Sequence, residues 1–292
     1  MTWLIVGASG QLGKSVCNVL DNKDIELVVW NQENSDISNE NYVDLFVNLI
    51  KPKAIINCAA WTDVDLAEDK ELEAYKINGE AVGYLAKAAK SVGAIFAHVS
   101  TDYVFSGVSS SPWNVNDEKQ PLSAYGRSKA KGEDLIQEIY PDNSLVFRTA
   151  WLYSPYGKNF AKTMMRLALK NNDEVRVVND QVGQPTSASD LAEQIVLSLE
   201  KGMQPGIYHA TNSGEASWNV FAKEIFRLIG ENPERVKPLS SAELKRNAPR
   251  PNYSVLNHDC WKNTGIKPMR DWKDALMDSI ENIQATVITE GI

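Results

Sequence analysis

The chain has 292 residues, 23% charged and 43% apolar, a balance that suits a soluble globular protein with a sizeable core. A formal net charge of −8 argues against a nucleic-acid surface or an anionic-membrane surface, since both favour clustered positive charge. Three widely spaced cysteines (Cys17, Cys58 and Cys260) with no C-x-x-C pair read as reduced thiols of a cytoplasmic protein. The histidines His98, His209 and His258 lack zinc-site spacing. No apolar stretch approaches the roughly 20 residues of a membrane span, and no basic, apolar leader precedes the first strand.

Residues 2–6 form a short apolar run with the look of a buried parallel strand. It leads into Gly7-Ala8-Ser9-Gly10-Gln11-Leu12-Gly13, a G-x-x-G-x-x-G pattern that opens a helix through Val16 and Leu20. Glycines there permit a tight turn and the close approach of backbone to a pyrophosphate. The helix start points N–H groups and a positive dipole end at the phosphates. A strand over 25–30 follows. Its end usually sets cofactor choice: an acid binds the ribose hydroxyls of NAD, and an arginine accepts the phosphate of NADP. Here the residues are Asn31-Gln32-Glu33. Asn31 binds a hydroxyl without repelling a phosphate, so both NADPH and NADH are expected. Glu33 reads as a solvated loop charge.

Asp36-Ile37-Ser38-Asn39 leads into a helix over 42–50. A third strand over 53–58 ends in Ala59-Ala60-Trp61-Thr62, small residues that let a flat ligand approach a strand's carboxyl end. Asp63, Asp65, Glu68 and Asp69 read as the acidic first turn of a helix that runs to Gly93 rather than as metal ligands. A fourth strand over 94–99 delivers Ser100-Thr101-Asp102-Tyr103-Val104-Phe105. The loop over 107–120 is long for a compact domain, which suggests a substrate lid.

A helix over 122–140 carries Tyr125-Gly126-Arg127-Ser128-Lys129. A tyrosine and a lysine four apart share a helix face. A free phenol holds its proton to a pH of about 10, and a neighbouring cation favours the phenolate, which would make Tyr125 a proton donor and acceptor near neutrality. A fifth strand over 145–149 completes a doubly wound parallel α/β sheet. Beyond it, the pattern predicts a helix over 159–170, strands over 174–178 and 206–210, and helices over 187–199, 218–229 and 271–283.

The glycine loop, Ala59-Ala60-Trp61-Thr62, Ser100 to Phe105, and Tyr125 to Lys129 resemble the extended short-chain dehydrogenase/reductases. Arg148 to Tyr153, Asp180-Gln181-Val182-Gly183-Gln184-Pro185-Thr186, and Arg250-Pro251 narrow the resemblance to the dTDP-4-dehydrorhamnose reductase family, in order and over essentially the whole chain. The resemblance implies a Rossmann domain of residues 1–150 plus about 174–200, the later strand and helix rejoining the sheet. It also implies a smaller mixed substrate domain of about 151–173 plus 201–292.

The resemblance implies a catalytic triad of Thr101, Tyr125 and Lys129, in which Tyr125 protonates the sugar oxygen, Lys129 lowers the tyrosine pKa and Thr101 binds the carbonyl. Cofactor contacts fall on Gly7, Gly10, Gln11, Leu12, Gly13, Asn31, Asp36, Ile37, Ala59, Ala60, Trp61, Tyr125 and Lys129. Thr101, Asp102, Tyr125 and Trp151 would meet the dTDP-sugar, and Arg250 its diphosphate, as a guanidinium fork binds phosphate. The reaction implied is NAD(P)H-dependent reduction of a 4-keto group in dTDP-rhamnose synthesis, by a homodimer.

Some departures bear on this. Lys14-Ser15 and Ser187-Ala188-Ser189-Asp190 stand where some relatives bridge dimers through magnesium and glutamates, so no metal is expected. Tyr253 is an unusual residue after Arg250-Pro251. Tyr103 follows Asp102 where the sugar-nucleotide dehydratases have a glutamate, which disfavours dehydration. Epimerases would retain a tightly bound NAD. Two readings remain beside the main one: a 4-ketoreductase of another dTDP-hexulose, and a non-catalytic subunit like the methionine adenosyltransferase β subunit.

Overall fold

The structure, a computed structural model, describes residues 2–31 and 36–291. Its chain order is β1 (Trp3–Val6), α1 (Gln11–Asp21), β2 (Leu27–Trp30), α2 (Glu40–Ile50), β3 (Ala54–Asn57), α3 (Val64–Asp69), α4 (Glu71–Tyr75), α5 (Ala81–Val92), β4 (Ile95–Thr101), α6 (Ala124–Ile139) and β5 (Ser144–Thr149). There follow β6 (Leu152–Tyr153), α7 (Phe160–Lys170), β7 (Val175–Val178), β8 (Val182–Gly183), β9 (Thr186–Ser187), α8 (Ala188–Glu200), β10 (Gly206–His209), β11 (Ala216–Ser217), α9 (Trp218–Leu228), β12 (Val236–Leu239) and α10 (Trp272–Thr289).

The apolar runs become a six-stranded sheet in the order β10-β5-β4-β3-β1-β2, parallel throughout. This is the doubly wound α/β fold. Both faces are covered, as a parallel sheet requires. On one face Leu12, Val16 and Leu20 of α1 pack with Leu191, Ile195 and Leu199 of α8. On the other, Val43 and Val47 of α2 pack with Val82, Leu85 and Ala89 of α5 and Ile136 of α6. The strand order reverses at β1, so the ends of β1 and β3 frame the crevice where such sheets bind ligands.

A second core joins Met165 of α7, Phe221 and Phe226 of α9, Leu276 and Ile283 of α10, and Val177 and Val236. It corrects the expected strand placement. β7 was expected to rejoin the main sheet; it pairs instead with β12 and contributes to this second core. β10, expected outside the sheet, pairs with β5 as its sixth strand. A four-residue apolar run satisfies either sheet equally, so periodicity alone does not assign its neighbour.

Two further expectations change. The helix expected from residue 63 to Gly93 is broken: Asp63 caps α3 through Leu66 N–H, and a π-turn at Lys76–Glu80 separates α4 from α5. The loop over 107–120 is stitched down rather than free as a lid. Trp113 N–H donates to the Val255 carbonyl at 2.8 Å, Asn257 N–H donates to the Trp113 carbonyl at 2.8 Å, and the Trp113 indole stacks on Phe105 at 4.8 Å.

Candidate active site

The glycine loop takes its shape from contacts that exclude a side chain. Gly7 has φ +76°, and a Cβ there would lie 2.6 Å from Ala59 N at the end of β3. A Cβ on Gly13 would lie 2.2 Å from the Gly7 carbonyl oxygen. Gly10 precedes α1 without a side-chain cap, and the first turn carries no acid. The leading N–H groups of α1, at Gln11, Leu12 and Gly13, thus keep their donors and positive dipole end for an anion. This geometry fits the pyrophosphate of a dinucleotide.

The other expected cofactor residues surround this loop. Asn31 Oδ1 accepts from Ser9 N–H at 2.8 Å, so the asparagine braces the loop; Gln32 and Glu33 lie outside the described residues. Asp36 Oδ1 caps Ser38 N–H at 2.9 Å, and Ile37 packs against the core. Gln11 is engaged through its side chain: its Oε1 accepts from Ser154 Oγ at 3.2 Å and Asn159 Nδ2 at 2.9 Å, tying the loop to the turn before α7. Ala59 and Ala60 are half-buried beside Trp61. Asn78, in the π-turn, clamps the Trp61 peptide from both sides: its Oδ1 accepts from Trp61 N–H at 2.8 Å and its Nδ2 donates to the Trp61 carbonyl at 3.0 Å.

The extended strand β4 carries Thr101 as its last residue, opposite Thr149 of β5. Thr101 Oγ1 donates to Asp102 Oδ1 at 3.0 Å and accepts from Tyr103 N–H at 3.2 Å. Ser123 caps α6 through Gly126 N–H, which sets Tyr125 in the first turn, edge-on to Tyr103 with ring centres 5.6 Å apart. A Cβ on Gly126 would lie 2.4 Å from the Tyr103 carbonyl oxygen, so the helix start presses directly on the Thr101–Tyr103 turn. The fold therefore brings together Thr101, Asp102 and Tyr125.

Burial pushes the Tyr125 phenol up to about 12; the neighbouring Thr101 hydroxyl partly offsets this, and the nearby Asp102 carboxylate adds to it. The expected lowering by Lys129 does not dominate. Lys129 Nζ instead donates to the Val99 carbonyl at 2.6 Å and lies 3.3 Å from His98 Nε2. Burial brings the Lys129 amine down to about 8, against the opposing charge of Glu133. Asp102 is raised by burial to about 6, held back by hydrogen bonds from Ser254 and Thr101. At neutral pH this site presents a protonated phenol and a lysine close to its titration point.

Trp151, with φ +46°, stacks on Trp218 with ring centres 3.5 Å apart and planes 9° from parallel. A Cβ on Gly183 would lie 2.6 Å from its ring, so the indole rests on β8, and both tryptophans remain partly exposed. Arg250 stands at the edge of the site. Its Nη2 pairs with Asp65 Oδ2 at 2.7 Å and its Nη1 donates to the Ala248 carbonyl at 3.0 Å; its charge reaches Tyr103. Tyr253 Oη donates to Glu215 Oε2 at 3.0 Å.

Sequence reasoning missed Asn57, Asn78, His98, Glu133 and Arg148. Only Glu133 carried a usable signal: it continues the Tyr125–Lys129 spacing by one more turn of α6.

The family described as the RmlD substrate binding domain matches residues 1–285. A dTDP-4-dehydrorhamnose reductase of Streptomyces griseus is 42% identical over 281 residues, spanning 95% of this chain and 92% of that protein. A dTDP-4-keto-6-deoxy-D-glucose reductase of Streptomyces niveus is 38% identical over 283 residues, spanning 97% of this chain and 98% of that protein. A solved structure of dTDP-4-dehydrorhamnose reductase from Bacillus anthracis, in complex with NADP, is similar with a TM-score of 0.92 at 36% identity, covering 96% of this chain and 98% of that one. Among the described residues no helix is long and apolar enough to cross a membrane.

Proposed function

The chain belongs to the RmlD substrate binding domain family, and from that membership we propose that it reduces the 4-keto group of dTDP-4-dehydro-L-rhamnose to give dTDP-L-rhamnose. It is an NAD(P)H-dependent oxidoreductase. The observation that carries the reading is Tyr125, a partly buried phenol set by the first turn of α6 against the Thr101–Tyr103 turn and kept protonated at neutral pH. Reduction of a ketone requires a proton donor of this kind.

NADPH or NADH supplies the hydride when bound, held by the backbone donors at Gln11, Leu12 and Gly13, with Gly7 and Gly10 shaping the loop and Asn31, Ala59, Ala60 and Trp61 around it. As negative charge develops on the sugar O4, the Tyr125 hydroxyl gives it a proton. Thr101 offers its hydroxyl to the same oxygen by turning from Asp102 Oδ1. A positioned acid of this kind contributes roughly 10² to 10⁴ in rate. Trp151, braced by Trp218 and Gly183, supplies a flat wall for the sugar nucleotide. Arg250 offers its guanidinium to the diphosphate once released from Asp65. The reading includes a cytoplasmic enzyme that acts as a homodimer on a soluble nucleotide sugar.

The similarity to the Streptomyces niveus protein favours a second substrate, the unepimerised dTDP-4-keto-6-deoxy-D-glucose. The test is oxidation of NADPH and NADH with that sugar, with and without a 3,5-epimerase. Turnover that needs the epimerase supports the rhamnose reading. Equal turnover without it establishes the second substrate. No turnover in either arm overturns both.

A further inference from the structure

Beneath the site lies a buried polar chain that proton donation by Tyr125 does not itself require. It begins at the end of β3. Ala59 N–H donates to Asn57 Oδ1 at 3.1 Å, which fixes which end of the Asn57 amide faces where. Asn57 Nδ2 then lies 3.0 Å from His98 Nδ1. An amide nitrogen only donates, so His98 Nδ1 accepts and the ring proton sits on Nε2. That Nε2–H faces Lys129 Nζ at 3.3 Å. An ammonium there would oppose donor to donor; a neutral amine accepts the hydrogen bond and still donates to the Val99 carbonyl at 2.6 Å. Asn57 and His98 are fully buried and Lys129 is 2% exposed, so bulk water does not relieve the mismatch.

We propose that His98, oriented by Asn57, is a positioning residue for Lys129 whose tautomer favours the neutral amine over the ammonium in the free enzyme. The groups facing Lys129 are few. Cys58 comes from the end of β3, its thiol kept protonated by burial. His98 and the Val99 carbonyl come from β4. Glu133 comes from one turn along α6, and its charge is taken up by Arg148 and Lys119. Among the described residues, the acidic group that acts on the amine, Glu133, is thus already paired, which leaves the His98 tautomer as the local discriminator. Burial alone already holds His98 well below the ordinary histidine range, so the imidazolium form is disfavoured as well. The consequence for reduction rests on the function proposed above: a lysine that charges near neutrality, rather than at about 10.4, releases its proton more readily beside the tyrosine that must be reprotonated after each turnover.

The test needs no turnover. Nitrogen-15 spectra of the free wild-type protein should show His98 protonated at Nε2 alone, and the Cε shift of Lys129 should titrate well below that of free lysine. An Nδ1-protonated or doubly protonated His98, or a Lys129 midpoint at the free value, overturns the proposal. Asn57→Asp supplies the reversal: a carboxylate accepts from Nδ1–H, turns Nε2 into an acceptor and welcomes the ammonium. The Lys129 midpoint should rise by about one pH unit or more, and the alkaline limb of ketone reduction should move with it. A midpoint that stays in place in a folded Asn57→Asp variant overturns the role of the tautomer. Absence of turnover in the wild type would count against the reductase reading alone, because both spectroscopic readouts stand without it.

Discussion

Glu133 holds Arg148 through two hydrogen bonds, Arg148 Nε to Oε1 at 2.9 Å and Nη2 to Oε2 at 2.8 Å, with neither side chain meaningfully exposed. Ser100 adds its hydroxyl to Glu133 Oε1 at 2.6 Å. Tyr125, Lys129 and Glu133 succeed one another at four-residue spacing, so this clasp pins the catalytic face of α6 to the ends of β4 and β5. Removal of one partner leaves a buried charge unpaired, which costs about 3–5 kcal/mol, whereas replacing both by apolar residues is often close to neutral. Glu133→Gln and Arg148→Met should each lower stability by that order in urea unfolding. The double replacement Glu133→Leu with Arg148→Met should recover much of it. Additive losses in the double variant would contradict the coupling.

Tyr125→Phe removes the proton donor and leaves the ring that packs with Trp61, Ala67 and Ala74. The turnover number should fall by about 10² to 10⁴, while dinucleotide affinity measured by calorimetry stays within a factor of about two. A variant that retains turnover would remove Tyr125 from the chemistry; one that loses dinucleotide binding would make its role structural.

Gly13→Ala places a methyl 2.2 Å from the Gly7 carbonyl oxygen and 2.6 Å from Ala8 Cα. Both obstacles are backbone, so the loop itself must move. Dinucleotide affinity should weaken by at least about tenfold, which is about 1.4 kcal/mol. Gly202→Ala is a control for the effect of a methyl on a glycine away from the site: it has φ +62° but nothing within 4 Å, so it should cost some stability and leave dinucleotide affinity intact.

Much of this was legible in the sequence because the signals are local. The glycine loop fixes its own turn, alternating apolar runs and helices fix a parallel sheet, and the Tyr125–Lys129 spacing is a property of one helix. What the sequence did not show depends on contacts across many residues. Asn57 and His98 are 41 residues apart and read separately as an ordinary strand end and a core histidine. The partner of β7 is β12, some 60 residues away, and no feature of Val175–Val178 distinguishes that pairing from a place in the main sheet. Lys129 was expected to act on Tyr125 and the cofactor; its Val99 and His98 partners on a neighbouring strand engage it in the free protein.

The buried histidines set an acid limit on stability. His209 lies edge-on to Phe105 with its Nδ1 bonded to the Asn257 carbonyl at 2.9 Å, and burial with the nearby Arg148 charge lowers it to about 3. His258 is lowered to about 4 by burial, and His98 falls well below the ordinary range. Each binds its proton in the unfolded chain near pH 6.5 but not in the folded one. Their contribution is therefore present above about pH 6.5 and is lost as pH falls toward the folded values, at about 1.4 kcal/mol per pH unit for each group. Asp102 opposes this trend: raised to about 6, it binds its proton earlier in the folded protein and adds stability as pH falls from about 6 toward its ordinary value. Three histidines against Asp102 leave a net downward slope in stability as pH falls from about 6 toward 5, above the range where the other carboxylates bind protons. Urea unfolding at stepped pH should show that slope. His209→Gln keeps a donor for the Asn257 carbonyl and removes one titration, so it should flatten the slope by about 1.4 kcal/mol per pH unit. An unchanged slope in that variant would mean that His209 is not among the groups that set the acid limit.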